Sequence, residues 1–411
     1  MLKQVRRRVT IREALDAMSL CDIRRAAVER VPIGDAAGRI LARPVNAAED
    51  VPPFSRSRVD GYAVKAADVK HATPGKPVRL ELDADVLMGK ATDNVLRSRH
   101  AARVPTGGML PPGADSVVMI EDADELDGAV FVRERSHCED NVTPAAADVR
   151  AGGRLLDAGV ALLPAAVGML AGAGVAHVDV YVPPSVALLV TGDELVEPGA
   201  ALAGGEIRDI NRYALGAALS AMGFSPRAYP RVPDDRARFA AAFALALGEC
   251  DAVVISGGSS VGERDYAPAV VAAAGEPGVV VHGVRAKPGR PTLLGAIGDK
   301  PVIGLPGNPV SALVMLETLG KPVLWRMFQK AADTLPVPAV LAAPIDLSPE
   351  LEHRVPVKLR RAGSGGVIAE PLFGTSAQMH TLGMSDALVA VPIGCGPIAA
   401  GTVVDAIPFT R

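Results

Sequence analysis

From Val186 onward the chain repeats one pattern. A short apolar run empties into a polar loop, and a helical stretch follows. Val186–Val190 leads to Thr191-Gly-Asp-Glu194, and Ala252–Ile255 to the loop Ser256–Asp265. Val279–Val281 leads to Lys287-Pro-Gly-Arg290, and Pro301–Leu305 to Pro306-Gly-Asn-Pro309. Strands alternating with helices imply a mostly parallel sheet. Ligands of such sheets bind outside the carboxyl ends of the strands, so these loops are expected to converge on one edge. Asn211 is expected to cap a helix with Leu215, Ala218, Leu219 and Met222 on one face, closed by Gly223. Asn308 is expected to cap another, with Pro309 at its first position.

The rest of the chain differs in texture. At 411 residues it calls for several domains. Residues 10–30 read as helical, with Ile11, Ala14, Leu15 and Met18 on one face and a Thr10/Glu13 capping box. Residues 51–135 hold short β-like runs, such as Val78–Leu82, Ser116–Ile120 and Val130–Val132, between Pro/Gly turns. A helical patch around Ala165–Ala171 precedes Val178–Val182, and Pro183-Pro184 reads as a linker. From about Pro336 the chain reads as a compact β domain: Ala339–Leu341, Val355–Leu359, Gly366–Ala369, Ala387–Val391 and Val403–Ile407.

Composition removes several function classes. Aromatics at 3% leave few stacking platforms for single-stranded nucleic acid, and a net charge of −3 gives no footprint for DNA or RNA. Cys21, Cys138, Cys250 and Cys395 are scattered, with no C-x-x-C for zinc or redox chemistry. No membrane span and no signal peptide are read, so a cytoplasmic protein with free thiols is expected.

The loop Ser256-Gly-Gly-Ser-Ser-Val-Gly-Glu-Arg-Asp265 carries the sharpest chemistry. Its backbone N–H groups and hydroxyls suit an oxyanion, whereas Glu263 and Asp265 repel one unless a cation lies between. Asp193, Glu194, Asp234 and Asp235 are further candidates for such a metal; any one alone reads more simply as a solvated or helix-capping acid, but together on one edge they point to a cation. Lys287 and Arg290 could clamp an anion or simply be solvated. The glycines alone satisfy a tight turn, and Gly258-Ser-Ser-Val-Gly262 also fits a hydrolase elbow on Ser260, with Asp265 and His282 as partners. There is no Walker loop, no complete G-x-G-x-x-G and no H-E-x-x-H. In the first half, Arg56, Arg58 and Asp60 share a face if extended, and Thr106-Gly-Gly and Pro111–Asp115 read as turns.

Taken in order, these motifs resemble a known family. They are Pro53-Phe with Asp60-Gly-Tyr-Ala, Thr106-Gly with Pro112-Gly-Ala-Asp115, Thr191-Gly-Asp-Glu194, the 256–265 loop, Lys287-Pro-Gly-Arg-Pro291 and Gly304-Leu-Pro-Gly-Asn-Pro-Val-Ser-Ala312. The chain is similar to the MoeA family of molybdopterin molybdenumtransferases, related to the gephyrin E domain, over most of its length. The resemblance implies a multidomain α/β plus β protein. Residues 1–27 and 47–148 would form one discontinuous β-rich lobe, and 28–46 and 149–184 a second small lobe. Residues 185–330 would form a MogA-like three-layer α/β domain, and 335–411 a C-terminal β-barrel.

The resemblance further implies a homodimer with a cleft shared between subunits, and contact with a MogA-type adenylyltransferase and with apo-molybdoenzymes. The implied reaction inserts molybdate into adenylylated molybdopterin with Mg²⁺, releasing AMP. Carried over position by position, the catalytic residues are Asp60, Thr106, Glu194, Asp234 and Asp265, with Glu194, Asp234 and Asp265 as metal ligands. Ser256, Gly257, Gly258, Ser259, Lys287, Arg290, Pro306, Pro309 and Ser376 would hold the substrates. The chain departs from the family at Ala145-Ala-Ala-Asp148, where an Arg-x-Gly-Glu-Asp run is usual and only the Asp remains. Val59, Gly108 and Arg290 also replace the usual Met, Ala and Lys. The alternatives are an adenylyltransferase of MogA type, a tungstate-inserting paralogue and a non-catalytic scaffold.

Overall fold

The computed structural model describes residues 8–257, 266–330, 334–363, 365–374 and 378–410. The chain divides into two compact units. One comprises Met1–Glu29, Gly38–Ala42 and Asp179–Arg411, and the other Arg30–Ala37 and Arg43–Val178.

The first unit is built on the alternation seen in the sequence. Helix α1 is Ile11–Ser19. Strand β1 (Ser185–Val190) is followed by α2 (Asn211–Ala221), β2 (Ser225–Ala228), α3 (Arg236–Glu249) and β3 (Ala252–Ser256). Then come α4 (Ala267–Ala274), β4 (Pro277–His282), β5 (Leu293–Ile297), β6 (Lys300–Leu305) and α5 (Pro309–Met315). The sheet order is β2-β1-β3-β6-β5-β4. The first four strands run parallel, β5 is antiparallel to β6, and β4 is antiparallel to β5.

Successive residues of β1 face opposite sides, as the pleat requires. Val186, Leu188 and Val190 pack with α2 residues Leu215 and Leu219 and with Ile11, Ala14 and Met18 of α1. Ala187 and Leu189 pack with Phe239 and Phe243 of α3 and Val271 of α4. Both faces are buried, which gives three layers.

Two expectations need correction here. The N-terminal helix stops at Ser19 instead of running to residue 30. Arg326, far along the chain, donates to Met18 O and Cys21 O at 2.6 and 2.7 Å, satisfying carbonyls that a longer helix would use itself. Arg24 is then drawn into extended chain between Asp251 and Asp299. Asn211 begins α2 but does not cap it with its side chain. Asp209 accepts from Arg212 N at 3.0 Å instead, and the Asn211 amide is used elsewhere.

The C-terminal strands β7 (Val337–Leu341), β8 (Glu352–Arg361), β9 (Val367–Pro371), β10 (Ala387–Val391) and β11 (Val403–Pro408) close into a five-stranded barrel. β8 pairs with both β9 and β10, β9 with β7, β7 with β11, and β11 with β10. Closure removes the free edges. Val355, Val357, Ala369, Val389 and Ala406 fill its interior.

The second unit is organised by a six-stranded sheet in the order Ser116–Met119, Gly61–Val64, His100–Val104, Val78–Asp85, Ala129–Val132, Ala123–Leu126. Gly61 lies so close to its neighbour that a Cβ would sit 2.0 Å from Val118 O. Asp60-Gly61 is therefore a strand entry whose glycine is needed for close backbone approach. Among the described residues, no helix is long and apolar enough to cross a membrane.

Beyond α5 the helix continues through a π turn at Leu316–Gly320 into Lys321–Trp325. Pro322 has no N–H to offer the preceding turn, which is a recognised cause of such a bulge. Here Lys321 Nζ lies 2.7 Å from Glu317, both side chains being less than a tenth exposed. Glu317 also accepts from Thr410 N and Oγ1, each at 3.1 Å. Removing one partner of a buried pair strands the other charge. Glu317→Ala is expected to destabilise this unit by about 3–5 kcal/mol in denaturant unfolding, and Glu317→Leu with Lys321→Met should recover most of the loss.

Candidate functional site

Three strand-end loops meet at the carboxyl edge of the sheet, and the closest of these contacts requires that Gly257 lack a side chain. Gly257, which follows β3, has φ +87. A Cβ on it would stand 2.9 Å from both Thr191 O and Thr191 Oγ1. Gly307, which follows β6, faces Gly257, and a Cβ on it would lie 3.7 Å from Gly257 Cα. Thr191 N donates to Ser256 O at 3.1 Å, and Gly257 N to Leu305 O at 3.3 Å.

Above this junction lies a cavity of about 720 Å³. Its lining includes Glu194, Asp234, Ser256, Gly257, Pro306 and Pro309. Each expected acid is resolved from its neighbour. Glu194 folds back over Gly192, where a Cβ would sit 2.7 Å from one carboxylate oxygen. Asp193 turns toward Arg231, whose guanidinium lies 4.0 Å away and also donates to Gly192 O and Asp193 O. Asp234 reaches the cavity because Val232 N donates to Val190 O, laying that segment beside β1. Asp235 caps α3, accepting from Arg238 N at 2.8 Å.

Other expected residues lie elsewhere. Lys287 and Arg290 are exposed and do not line this cavity. They follow β4, the outermost strand, which β5 separates from β6, and Lys287 pairs with His353 of the barrel strand β8. Pro291 alone from this loop reaches the cavity. Asp60 and Thr106 meet within the second unit, where Thr106 N donates to Asp60 Oδ1 at 2.8 Å. Gly258, Ser259, Ser260, Glu263, Asp265 and Ser376 lie outside the described residues.

Sequence reasoning missed a segment that completes the cavity's lining. Residues 195–210 fold back, with Ile207 N donating to Glu194 O and Asp209 N to Val196 O. Leu202, Ile207, Asp209, Ile210 and Asn211 thereby join the lining. Asp209 is buried, and burial pushes its carboxyl above the usual range against the lowering effect of its bonds to the Arg212 and Asn211 backbone. No apolar rhythm marks this strap, so the sequence offered only the Gly204-Gly205 turn as a hint.

Three family models match the chain: MoeA N-terminal region (domain I and II) over residues 9–174, probable molybdopterin binding domain over 187–326, and MoeA C-terminal region (domain IV) over 338–409. The Mycobacterium tuberculosis protein named molybdopterin molybdenumtransferase 2 is 33% identical over 384 residues, covering 90% of this chain and 93% of its own length. The Bacillus subtilis molybdopterin molybdenumtransferase is 30% identical over 386 residues, covering 92% and 89%. A crystal structure titled as the molybdopterin biosynthesis MoeA protein of Pyrococcus horikoshii matches with TM-score 0.80 and 32% identity, covering 98% of this chain and 100% of that one.

The buried Asp209 supplies a stability test. Its folded pKa is raised, so its ionised form opposes folding above that pKa, and the penalty fades as pH falls toward the unfolded value near about 3.9. Asp209→Asn keeps a capping oxygen for Arg212 N. It is expected to raise the unfolding temperature at pH 7, with an advantage that shrinks on acidification. Thermal unfolding across pH checks this.

Proposed function

The chain belongs to the MoeA family of molybdopterin molybdenumtransferases, and from that membership we propose how its cavity works in molybdenum cofactor biosynthesis. It accepts adenylylated molybdopterin and molybdate, transfers the metal to the pterin's dithiolene, and releases AMP as the adenylate is cleaved. The observation that carries this reading is the joining of Glu194 and Asp234 with Ser256, Gly257 and the Pro306–Pro309 loop around one cavity.

The residues present suit the Mg²⁺ that the family implies. Glu194 and Asp234 are hard oxygen donors on one cavity, and Mg²⁺ usually takes one or two carboxylates alongside substrate phosphate and water. When bound, the ion would supply positive charge between two anions and polarise the phosphoryl oxygen.

The chain's own residues do the rest. The glycine turn at Gly257, continuing in sequence to Gly258 and Ser259, offers backbone N–H groups to a phosphate. Pro306 and Pro309 shape the pterin wall, with Pro309 beginning a helix whose N-terminal end favours negative charge. Lys287 and Arg290, outside the lining, attract oxyanions to this edge through longer-range charge. Asp265 as a third acid, Ser376 as a substrate contact, and Asp60 with Thr106 as catalytic residues belong to the same proposal. So do the four-part domain division, cytoplasmic residence and a homodimer.

The test follows AMP released from adenylylated molybdopterin with Mg²⁺ and either molybdate or tungstate. Glu194→Ala is expected to slow release by about 100-fold or more, the scale of losing one essential electrostatic contact. Wild-type turnover in that variant would overturn the assignment. AMP incorporation from Mg-ATP and molybdopterin would instead point to adenylyltransferase chemistry.

A further inference from the structure

The turn that carries Glu194 is tied down by a residue from another part of the chain. Arg231 Nη1 donates to Gly192 O at 3.0 Å and to Asp193 O at 2.8 Å. One charged nitrogen thus bonds two successive carbonyls of Thr191-Gly-Asp-Glu194. The Asp193 carboxylate, 4.0 Å away and largely exposed, adds little to this hold.

Arg231 is itself held by its neighbours. Tyr229 N donates to Leu188 O at 3.1 Å and Val232 N to Val190 O at 3.0 Å, so the segment runs beside β1. Tyr229 and Val232 are buried in the cluster that contains Phe239 and Phe243 of α3, while Arg231 between them is exposed. Three residues on, Asp234 reaches the cavity, and Asp235 caps α3. One short segment therefore supplies one acid and grips the turn that supplies the other.

The grip matters because the Glu194 side chain has little else to fix it. Among the described residues, no N–H or O–H donates to its carboxylate. The carboxylate lies over Gly192, where a Cβ would stand 2.7 and 2.9 Å from its two oxygens. Gly192 is buried with φ +141, a conformation that side chains rarely adopt. The place of the carboxylate thus follows from the place of Gly192. Gly192 O is bonded by Leu195 N within the turn and by Arg231 from outside it.

We propose that Arg231 is a positioning residue for the metal: it holds the Gly192–Asp193 backbone so that Glu194 presents its carboxylate to the cavity that Asp234 also lines. This deepens the function proposed above and rests on the metal role given there to Glu194. Arg231 is not part of the lining, so it acts through Glu194. The sign of its effect separates position from charge. A guanidinium near a cation site repels the cation, so removing a bystander charge would leave metal binding equal or tighter. Removing a support for Glu194 weakens it instead.

Titration of the full chain with Mn²⁺ in the presence of AMP, read by the electron paramagnetic resonance signal of the free ion, gives the affinity without turnover. Arg231→Ala is expected to weaken binding by about tenfold, the scale for losing a residue behind a metal ligand. One nitrogen makes both bonds, so Arg231→Lys, which keeps a charged donor, should stay within about threefold of wild type. In a Glu194→Ala background, Arg231→Ala should cost no more than about twofold further, because the group it positions is gone.

The inference is overturned by equal or tighter Mn²⁺ binding in Arg231→Ala, by a loss in Arg231→Lys as large as alanine's, or by an undiminished effect in the Glu194→Ala background. If the alanine variant does not fold, Arg231→Met, which keeps bulk without a donor, takes its place with the same expectation. Glu194→Ala alone separates the two readings. Unchanged Mn²⁺ affinity in that variant removes the metal reading and this inference with it. Weakened affinity there, beside wild-type affinity in Arg231→Ala, removes only this inference.

Discussion

The close meeting of backbone at the ends of β1, β3 and β6 is the constraint on which the cavity depends. Parallel strands place their carboxyl ends side by side, but that alone does not make the following loops touch. Contact requires that Gly257 carry no Cβ, because Thr191 occupies that space from two directions. Gly307 completes the junction from β6. With those loops seated, Glu194, Asp234 and the strap ending in Asn211 complete the lining.

Asn211 ties the pieces together. A single side-chain amide bonds a residue after β3's apolar run and a carbonyl after β6, while its own backbone starts α2. Ser256 is thereby consumed as structure. At 1% exposure, its hydroxyl meets Asn211 instead of offering itself freely to a ligand. In the reading proposed above, substrate contact at the end of β3 would then fall to the backbone at Gly257, the chemistry a glycine turn provides best.

Much of this was legible because the signals were local. Val186–Val190, Ala252–Ile255 and Pro301–Leu305 are apolar runs closed by turn residues, and all three are strands. The five C-terminal runs were likewise found, and the barrel was expected from the family resemblance alone, since closure depends on pairing between β8 and β10 across the chain. Ser225–Ala228 was missed because an edge strand containing Pro226 has no apolar pattern to show. Gly61–Val64 and His100–Val104 were missed because Asp-Gly reads as a turn and His100-Ala-Ala-Arg is too weakly apolar. At the site, Glu194 was read from its place after a strand, whereas Asp234 was singled out through the family resemblance. Asp209 and Asn211 were not, since burial and fold-back of a strap are set by tertiary structure.

The distribution of charge explains why these functions sit on separate strands. Acids at β1 and after β2 would repel a phosphate held directly against them. The glycine turn after β3 lies between those acids and the proline loop after β6, as the strand order β2-β1-β3-β6 requires. An anion can then lie over backbone N–H groups with carboxylates to one side only, the geometry in which a cation bridges them. Lys287 and Arg290, beyond β5, stay outside the lining. Arg208 does line the cavity, where its guanidinium donates to Pro198 O and Ala200 O. In the reading proposed above, Lys287 and Arg290 would contribute their field from outside the lining.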